Sequence, residues 1–306
     1  MRNTWVRVAG WTVAIAIVWF AGGSLVRNWE ELRSQPLDWQ IRPAWILLSA
    51  LLVWSMYTIL IVAWRRMLEG WGQRLDGWTA ARIWTVSSLG KYVPGKVWAV
   101  AGMALMSKES GVTPWAATGS AVILQALAIG TGAAVAASTG AGALESARPG
   151  IQSALVGLVL ASVVGILLLL WPPVLRRLLR LAGSDAGTAP AAGGIVFGIA
   201  ANLIAWIGYG VALWLLAKGI LPSAGLRLFP AIAVFTASYL AGFLALLVPG
   251  GLGVREGLFI LMLQGTIGIG AATALALASR VLLTITEVGA AVPFLVYSRG
   301  APRVAS

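Results

Sequence analysis

The sequence predicts an all-α protein that crosses a membrane several times. Of its 306 residues, 59% are hydrophobic and only 10% are charged, whereas soluble domains average about a quarter charged. Several apolar runs reach the roughly 20 residues that a helix needs to cross a bilayer, and none alternates as an outer-membrane strand does. We therefore expect a helical membrane bundle that forms a single membrane domain over residues 1–306, without a soluble module.

The residue types that the sequence lacks limit the classes of function that it can have. It contains no cysteine and no histidine, which excludes disulfides and thiolate chemistry and removes the commonest general base and metal ligand. It also has no clustered pair of aspartates that would hold a metal. We therefore expect no catalytic residue, no metal and no cofactor. The enzyme alternative, an integral lipid or sugar transferase acting through Glu256 or Glu287, is weakened by the same absences.

Apolar runs and their interruptions predict the helices. The uninterrupted runs are 8–26, 43–64, 113–138, 150–171, 193–217 and 266–298. The first follows Arg2 and Arg7 as in a signal peptide, but its length and the start at Met1 favour a retained span. Two more segments, 79–107 and 229–264, each contain Val-Pro-Gly. Because proline breaks a helix and glycine permits a sharp turn, both segments are predicted to be broken helices.

The distribution of lysine and arginine between these segments predicts their orientation. Twelve of the 22 basic residues fall in loops assigned to the cytoplasm, namely Arg2, Arg7, Arg65, Arg66, Arg74, Arg82, Lys108, Arg176, Arg177, Arg180, Arg299 and Arg303. Six fall outside, namely Arg27, Arg33, Arg42, Arg148, Lys218 and Arg227. This assignment places both termini in the cytoplasm. It holds only if segment 79–107 is a re-entrant hairpin from the cytoplasm and segment 229–264 is one from the opposite face.

The two interrupted segments also predict an internal repeat. Val93 and Val248 begin the two Val-Pro-Gly motifs and are 155 residues apart, about half of the chain. Each half, about 1–145 and 146–306, would hold three spans and one hairpin, which gives an inverted-topology repeat. An alternative keeps 229–248 as a complete span and splits the final run into two short helices. The predicted number of spans is therefore six to eight.

Charged residues inside the apolar segments indicate where the protein acts. There are six of them: Lys91, Lys96, Arg255, Glu256, Arg280 and Glu287. On insertion scales each costs about 2.5 to 3.5 kcal/mol at a helix centre, so such a set indicates a function. The two carboxylates can neutralise two of the four cations, which leaves two positive charges for an anion. We expect the four cations to bind a phosphate-bearing headgroup and the carboxylates to balance charge, with Glu287 able to carry a proton.

The turns beside these charges suit an anion site. After Pro94 and Gly95, and again in the turn that contains Pro249, Gly250, Gly251 and Gly253, the backbone can approach a ligand closely and a new helix begins with its positive dipole end. Arg255, at the start of the second such helix, can hold a phosphate bidentately.

Structural alternatives to an anion site remain open for each charge. Lys91 and Lys96 can snorkel to the cytoplasmic interface. If they instead bind an anionic lipid from the hairpin tip, replacing either with alanine is expected to weaken lipid binding without loss of folding. Arg255 and Glu256 can form a surface pair. Arg280 and Glu287, two helical turns apart, can serve only to fix helix register, but Glu287 is more readily paired across helices with a hairpin lysine or with Arg255.

Two motifs carry a resemblance to a known family. "SSLGKYVPGKVW" at 87–98 and "VPGGLGVREG" at 248–257, in this order and at this spacing, resemble the lysylphosphatidylglycerol synthase transmembrane (flippase-like) family over nearly the whole chain. The resemblance implies a polytopic bundle that binds or moves lipids, among them aminoacylated phosphatidylglycerol, glycolipids and polyprenyl-phosphate-linked sugars. The matching positions are Lys91, Pro94, Gly95, Lys96, Pro249, Gly250, Gly251, Gly253, Arg255, Glu256 and Gly257. Bifunctional members continue into an aminoacyl-transferase domain, which is not found before Ser306, so we do not expect this chain to make lysyl-phosphatidylglycerol.

Together these observations predict a lipid translocase of the bacterial cytoplasmic membrane. Its basic residues lie at the ends of apolar runs, which favours anionic phospholipid, glycolipid or polyprenyl phosphate as partner and not nucleic acid. No nucleotide-binding motif is present, so gradients or the membrane potential would drive transport. A small-anion or solute transporter and a non-transporting membrane partner of a glycosyltransferase are the alternatives, and assembly as a homo-oligomer is left open.

Overall fold

The chain is an all-helical, polytopic membrane protein. The computed structural model describes residues 37–92, 97–144, 192–245 and 249–296, with isolated positions between 157 and 177. The α-helices of the four continuous ranges are α1 Pro43–Glu69, α2 Gly77–Ser88, α3 Val97–Glu109, α4 Pro114–Leu144, α5 Ala192–Ile220, α6 Leu228–Leu244, α7 Val254–Ile267 and α8 Ile269–Val296. Of these, α1, α4, α5 and α8 are long and apolar enough to cross a membrane.

The four long helices coincide with four of the predicted runs. The last run forms the single helix α8, so its alternative division into two short helices is wrong. The reason is local, because the only proline of α8, Pro293, lies in its final turn and interrupts little of it. The predicted runs 8–26 and 150–171 lie outside the described residues.

Segment 79–107 is a broken helix, as predicted. Asp76 is the N-cap of helix α2, and its carboxylate accepts hydrogen bonds from the backbone N–H groups of Trp78 and Thr79 at 3.0 Å each. A hydrogen bond from the side chain of Thr79, together with those from the two backbone amides, lowers the pKa of Asp76 below its ordinary value. The helix is followed by a short 3₁₀ turn, Leu89–Tyr92, and then by α3.

Helices α2 and α3 fold back on each other as a hairpin, termed here the first hairpin (residues 77–109). Near its tip, a Cβ added to Gly90 would lie 2.7 Å from the backbone nitrogen of Ala99. At its base, the backbone N–H of Thr113 donates to the side chain of Gln73 at 3.1 Å. In these two contacts the residue number falls on one side of the hairpin as it rises on the other, which is the pattern of antiparallel packing. The start of α2 and the end of α3 therefore lie side by side.

Segment 229–264 is likewise broken, into α6, a 3₁₀ turn at Pro249–Gly251, and α7. Its turn depends on glycine, because Gly250, Gly251 and Gly253 have φ values of 57°, 66° and 77°, in the left-handed region that other residues rarely adopt. A Cβ on Gly251 would lie 2.6 Å from the backbone of Gly242. Helices α6 and α7 thus pack closely as the second hairpin (residues 228–267).

Replacing Gly251 with alanine should therefore destabilise the second hairpin. We expect a loss of at least about 2 kcal/mol, from the backbone conformation together with overpacking against Gly242. The melting temperature of the variant in detergent measures this loss of stability. Gly265→Ala in α7 is the matched control, since a Cβ there meets nothing within 4 Å. Equal melting temperatures for the two variants would contradict the close packing of α6 on α7.

The long helices hold the two hairpins in place. Helix α1 packs along α5, and two buried apolar clusters lie at its two halves. The cluster at its first half includes Val53 and takes in Phe235 and Phe259 of the second hairpin. The cluster at its second half includes Trp64 and takes in Ile83 of the first hairpin. The hairpins therefore approach the middle of the bundle from opposite ends of α1.

Candidate functional site

The breaks of the two hairpins meet beside α8. A Cβ added to Gly250 would lie 3.6 Å from the ring of Tyr92, and the two 3₁₀ turns are in contact. Leu89 and Tyr92 also pack against Ala291 and Val288 of α8. The predicted turn residues Pro94 and Gly95, together with Lys96, lie outside the described part of the chain. The second turn, from Pro249 to Gly253, lies against the 3₁₀ turn Leu89–Tyr92 of the first hairpin.

An ion pair joins the first hairpin to α8. The ammonium group of Lys91 lies 2.5 Å from Oε1 of Glu287, and the hydroxyl of Tyr92 donates to Oε2 at 2.6 Å. Glu287 is 8% exposed, so these two contacts replace the water that its carboxylate loses on burial. Of the cross-helix partners expected for Glu287, the structure contains the hairpin lysine.

A second ion pair joins α8 to the second hairpin. Arg280 donates to Oε1 of Glu256 and, through its other terminal nitrogen, to the carbonyl of Gly250 at 3.3 Å. The remaining oxygen of Glu256 accepts the backbone N–H of Gly253 at 2.8 Å. Glu256 is therefore paired with Arg280 and not with its neighbour Arg255, which rules against the alternative of a surface pair between 255 and 256.

Arg255 is buried among aromatic rings. It is 8% exposed, its guanidinium lies 5.5 Å from the ring centroids of both Phe235 and Tyr239, and one terminal nitrogen donates to Ser279 at 2.9 Å. No carboxylate pairs with it among the residues that the structure describes. The rings stabilise the cation, and among the described residues only Ser279 accepts a hydrogen bond from the guanidinium, which carries several further donors.

The described cluster thus carries one positive charge in excess. Lys91, Arg255 and Arg280 supply three cations, and Glu256 and Glu287 supply two carboxylates. Since Lys91 and Arg280 each have a carboxylate partner, the excess resides on Arg255. The sequence predicts that these same residues form the site. It does not distinguish the paired cations from the unpaired one, because the ion pairs join residues that are distant along the chain.

Tyrosines surround the cluster, and the sequence reasoning missed all but one of them. The rings of Tyr57 and Tyr209 are 6.1 Å apart, Tyr209 stacks on Phe235 at 5.5 Å, and Phe235 stacks on Tyr239 at 5.8 Å. This row runs from α1 through α5 and α6 to Arg255. Only Tyr92 stood within a motif; the others carried no local signal, although the chain has only five tyrosines and four of them converge here.

Comparison with known proteins identifies the family. A comparison with curated proteins gives no match. The family model described as "Lysylphosphatidylglycerol synthase TM region" matches residues 7–287, a range that includes both Val-Pro-Gly motifs and all five charged residues of the cluster. The match spans most of the chain, and it agrees with the resemblance carried by the two motifs. The chain belongs to the family of lysylphosphatidylglycerol synthase transmembrane regions.

Proposed function

We propose that the protein is a lipid translocase of the bacterial cytoplasmic membrane. It binds the phosphate-bearing headgroup of an anionic phospholipid, glycolipid or polyprenyl phosphate at the charged cluster, while the lipid chains stay in the bilayer. The observation that carries the proposal is the meeting of the two hairpin breaks at Tyr92 and Gly250, beside two ion pairs and the buried Arg255.

The energetics of the cluster favour a role in binding an anion. A buried ion pair adds little net stability, because the cost of removing two charges from water offsets their attraction. A buried cation such as Arg255, which has no carboxylate partner among the described residues, is costlier still. Apolar side chains would stabilise the same packing, so a charged substrate is the better reason for these residues. The excess positive charge matches the anionic headgroup.

The helix lengths support re-entrant hairpins. Helices α2 and α3 have 12 and 13 residues, which is about 18 to 20 Å of helix at 1.5 Å per residue, against about 30 Å for a hydrocarbon core. Helix α6, with 17 residues, is also short. With both termini in the cytoplasm, the two hairpins enter from opposite faces, as an inverted repeat requires.

Cysteine labelling tests this topology, and the absence of native cysteines makes it direct. We expect cysteines at Arg82 and Lys108 to react with an impermeant maleimide from one face of the membrane. Cysteines at Arg227, just before the second hairpin, and at Thr266, in its last turn, should react only from the other face. Labelling of Arg82→Cys and Lys108→Cys from opposite faces would contradict both the re-entrant hairpin and the inverted repeat.

The ion pairs provide a mechanism for moving the headgroup. A phosphate that reaches Arg255 competes with Glu287 for Lys91 and with Glu256 for Arg280, since all are charge-assisted contacts to oxygen. When the phosphate takes these cations, both hairpins are released from α8. Re-formation of the pairs expels the phosphate, and protonation of Glu287 links the exchange to a proton gradient.

Transport by the purified protein in liposomes tests the proposed function. We expect wild-type protein to move a fluorescent anionic phospholipid between leaflets faster than protein-free liposomes, and Arg255→Gln to lose most of this rate. Arg227→Gln, at an exposed arginine before α6, is the matched control and should transport normally. A wild-type rate equal to that of empty liposomes would contradict a translocase, and uptake of small anions by the same vesicles would favour the solute transporter.

A further inference from the structure

The described cluster contains no carboxylate that is free to receive a cationic headgroup. Glu287 is satisfied by Lys91 and Tyr92, and Glu256 by Arg280 and the backbone of Gly253. An ammonium group entering here would meet three cations and would have to displace one of them. Like charges repel, so an amine-bearing headgroup is a poor match for this cluster.

The cluster does contain a hydroxyl without a partner. The hydroxyl oxygen of Tyr57 is buried and makes no hydrogen bond within the described residues. The neighbouring hydroxyl of Thr286 donates instead to the carbonyls of Leu282 and Leu283, at 2.9 Å each. Because a buried polar group without a partner lowers stability, this hydroxyl indicates a partner that arrives with a ligand.

Two more tyrosines carry hydroxyls into the same region. Tyr57 and Tyr209 both lie within electrostatic reach of Glu287, and Tyr239 lies within reach of Lys91. The ring of Tyr239 also lies beside the guanidinium of Arg255. A headgroup phosphate at Arg255 would therefore place its substituent among phenolic hydroxyls, which can both donate and accept hydrogen bonds.

We propose that the site takes a lipid phosphodiester whose headgroup bears hydroxyls and no ammonium group. Arg255 holds the phosphodiester, and Tyr57, Tyr209 and Tyr239 hydrogen-bond to the headgroup hydroxyls. This inference rests on the proposed function, since it names the substrate class of the same site. It sets the substrate apart from aminoacylated lipids, whose added amine finds no free carboxylate among the cluster residues that the structure describes.

Three lipids with the same chains but different headgroups test the inference in liposomes. Phosphatidylglycerol has one negative charge and two hydroxyls, phosphatidylmethanol has the same charge and none, and lysyl-phosphatidylglycerol adds amines. We expect phosphatidylglycerol to be moved about fivefold faster than phosphatidylmethanol, the effect of roughly one hydrogen bond, and lysyl-phosphatidylglycerol to be the slowest. Equal rates for phosphatidylglycerol and phosphatidylmethanol would overturn the role of the hydroxyls, and fast movement of lysyl-phosphatidylglycerol would overturn the exclusion of amines.

The variant Tyr57→Phe tests the contribution of the Tyr57 hydroxyl alone, because it keeps the aromatic ring. It should lower the rate for phosphatidylglycerol and so bring it closer to the rate for phosphatidylmethanol. Its melting temperature without added lipid should equal or exceed that of the wild type, because an unpartnered polar atom is removed. Thr58→Val, which removes an exposed hydroxyl bonded within α1, is the control. A lowered melting temperature with an unchanged preference for phosphatidylglycerol would assign Tyr57 a purely structural role and overturn the inference.

The outcomes separate the headgroup inference from the proposed function. If all three lipids move at one rate above that of protein-free liposomes, the protein is a translocase but the tyrosines do not select its substrate. If none moves, the proposed function itself fails, and the headgroup inference fails with it.

Discussion

Glu287→Gln is expected to slow lipid movement by about tenfold or more, the effect of a change of roughly 1.4 kcal/mol in the barrier. Glutamine keeps the shape of the side chain and can still accept a hydrogen bond from Tyr92, but it no longer neutralises Lys91. The ammonium group of Lys91, no longer neutralised, then binds the phosphate of the lipid more tightly and slows its release. Lipid binding should therefore be equal or stronger while transport is slower, which a flip assay and native mass spectrometry measure together.

The stability of the same variant distinguishes a functional pair from a structural one. Breaking a fully buried pair costs roughly 3 to 5 kcal/mol, but the side chain of Lys91 is 31% exposed and water can solvate it, so the loss for Glu287→Gln should be smaller. Normal transport by a protein with a clearly lowered melting temperature would contradict the functional account. It would leave Glu287 with the role of fixing the position of α8.

Arg280→Met is expected to have the largest effect on stability. The side chains of Arg280 and Glu256 are 9% and 14% exposed, and Arg280 also donates to the carbonyl of Gly250 in the second turn. Methionine fills a similar volume but leaves the carboxylate of Glu256 without its cation. We expect a loss of about 3 kcal/mol or more in the free energy of unfolding, measured by thermal unfolding in detergent.

Two further variants make this prediction specific. The double variant Arg280→Met with Glu256→Gln should recover part of the lost stability, because no buried charge remains unpaired. Arg66→Met removes an arginine whose side chain is 64% exposed and 3.8 Å from Glu69, and it should change stability by less than about 1 kcal/mol. Equal losses for Arg280→Met and Arg66→Met would contradict the burial of the Arg280 pair.

Lys91 illustrates a choice that sequence reasoning leaves open, since the sequence offers either a hairpin lysine or Arg255 as the partner of Glu287. As a hairpin-tip charge it was expected to tolerate alanine without loss of folding, but its ammonium group neutralises the buried carboxylate of Glu287, 196 positions away. Lys91→Ala should therefore destabilise the protein as well as weaken lipid binding. A partner chosen by tertiary packing leaves no trace in local sequence.

Local signals, in contrast, predicted the helices and their breaks. The apolar runs forming α1, α4, α5 and α8 are long enough to be recognised by composition alone. The Val-Pro-Gly breaks were predictable because proline and glycine act on the backbone where they stand. The aromatic row from Tyr57 to Tyr239 could not be predicted, because it combines four residues from three helices that look like ordinary apolar segments in sequence.

Photo-crosslinking tests most directly whether a lipid headgroup binds where the hairpins meet. Phosphatidylglycerol with a photoreactive group on its headgroup would be added to the protein in liposomes, and the adducts would be mapped by mass spectrometry with and without excess unlabelled lipid. We predict competable adducts on residues 89–92, 249–256 and 279–287. Adducts confined to the basic end of α1 at Arg65 and Arg66, or adducts that excess lipid does not reduce, would contradict a headgroup site between the hairpins.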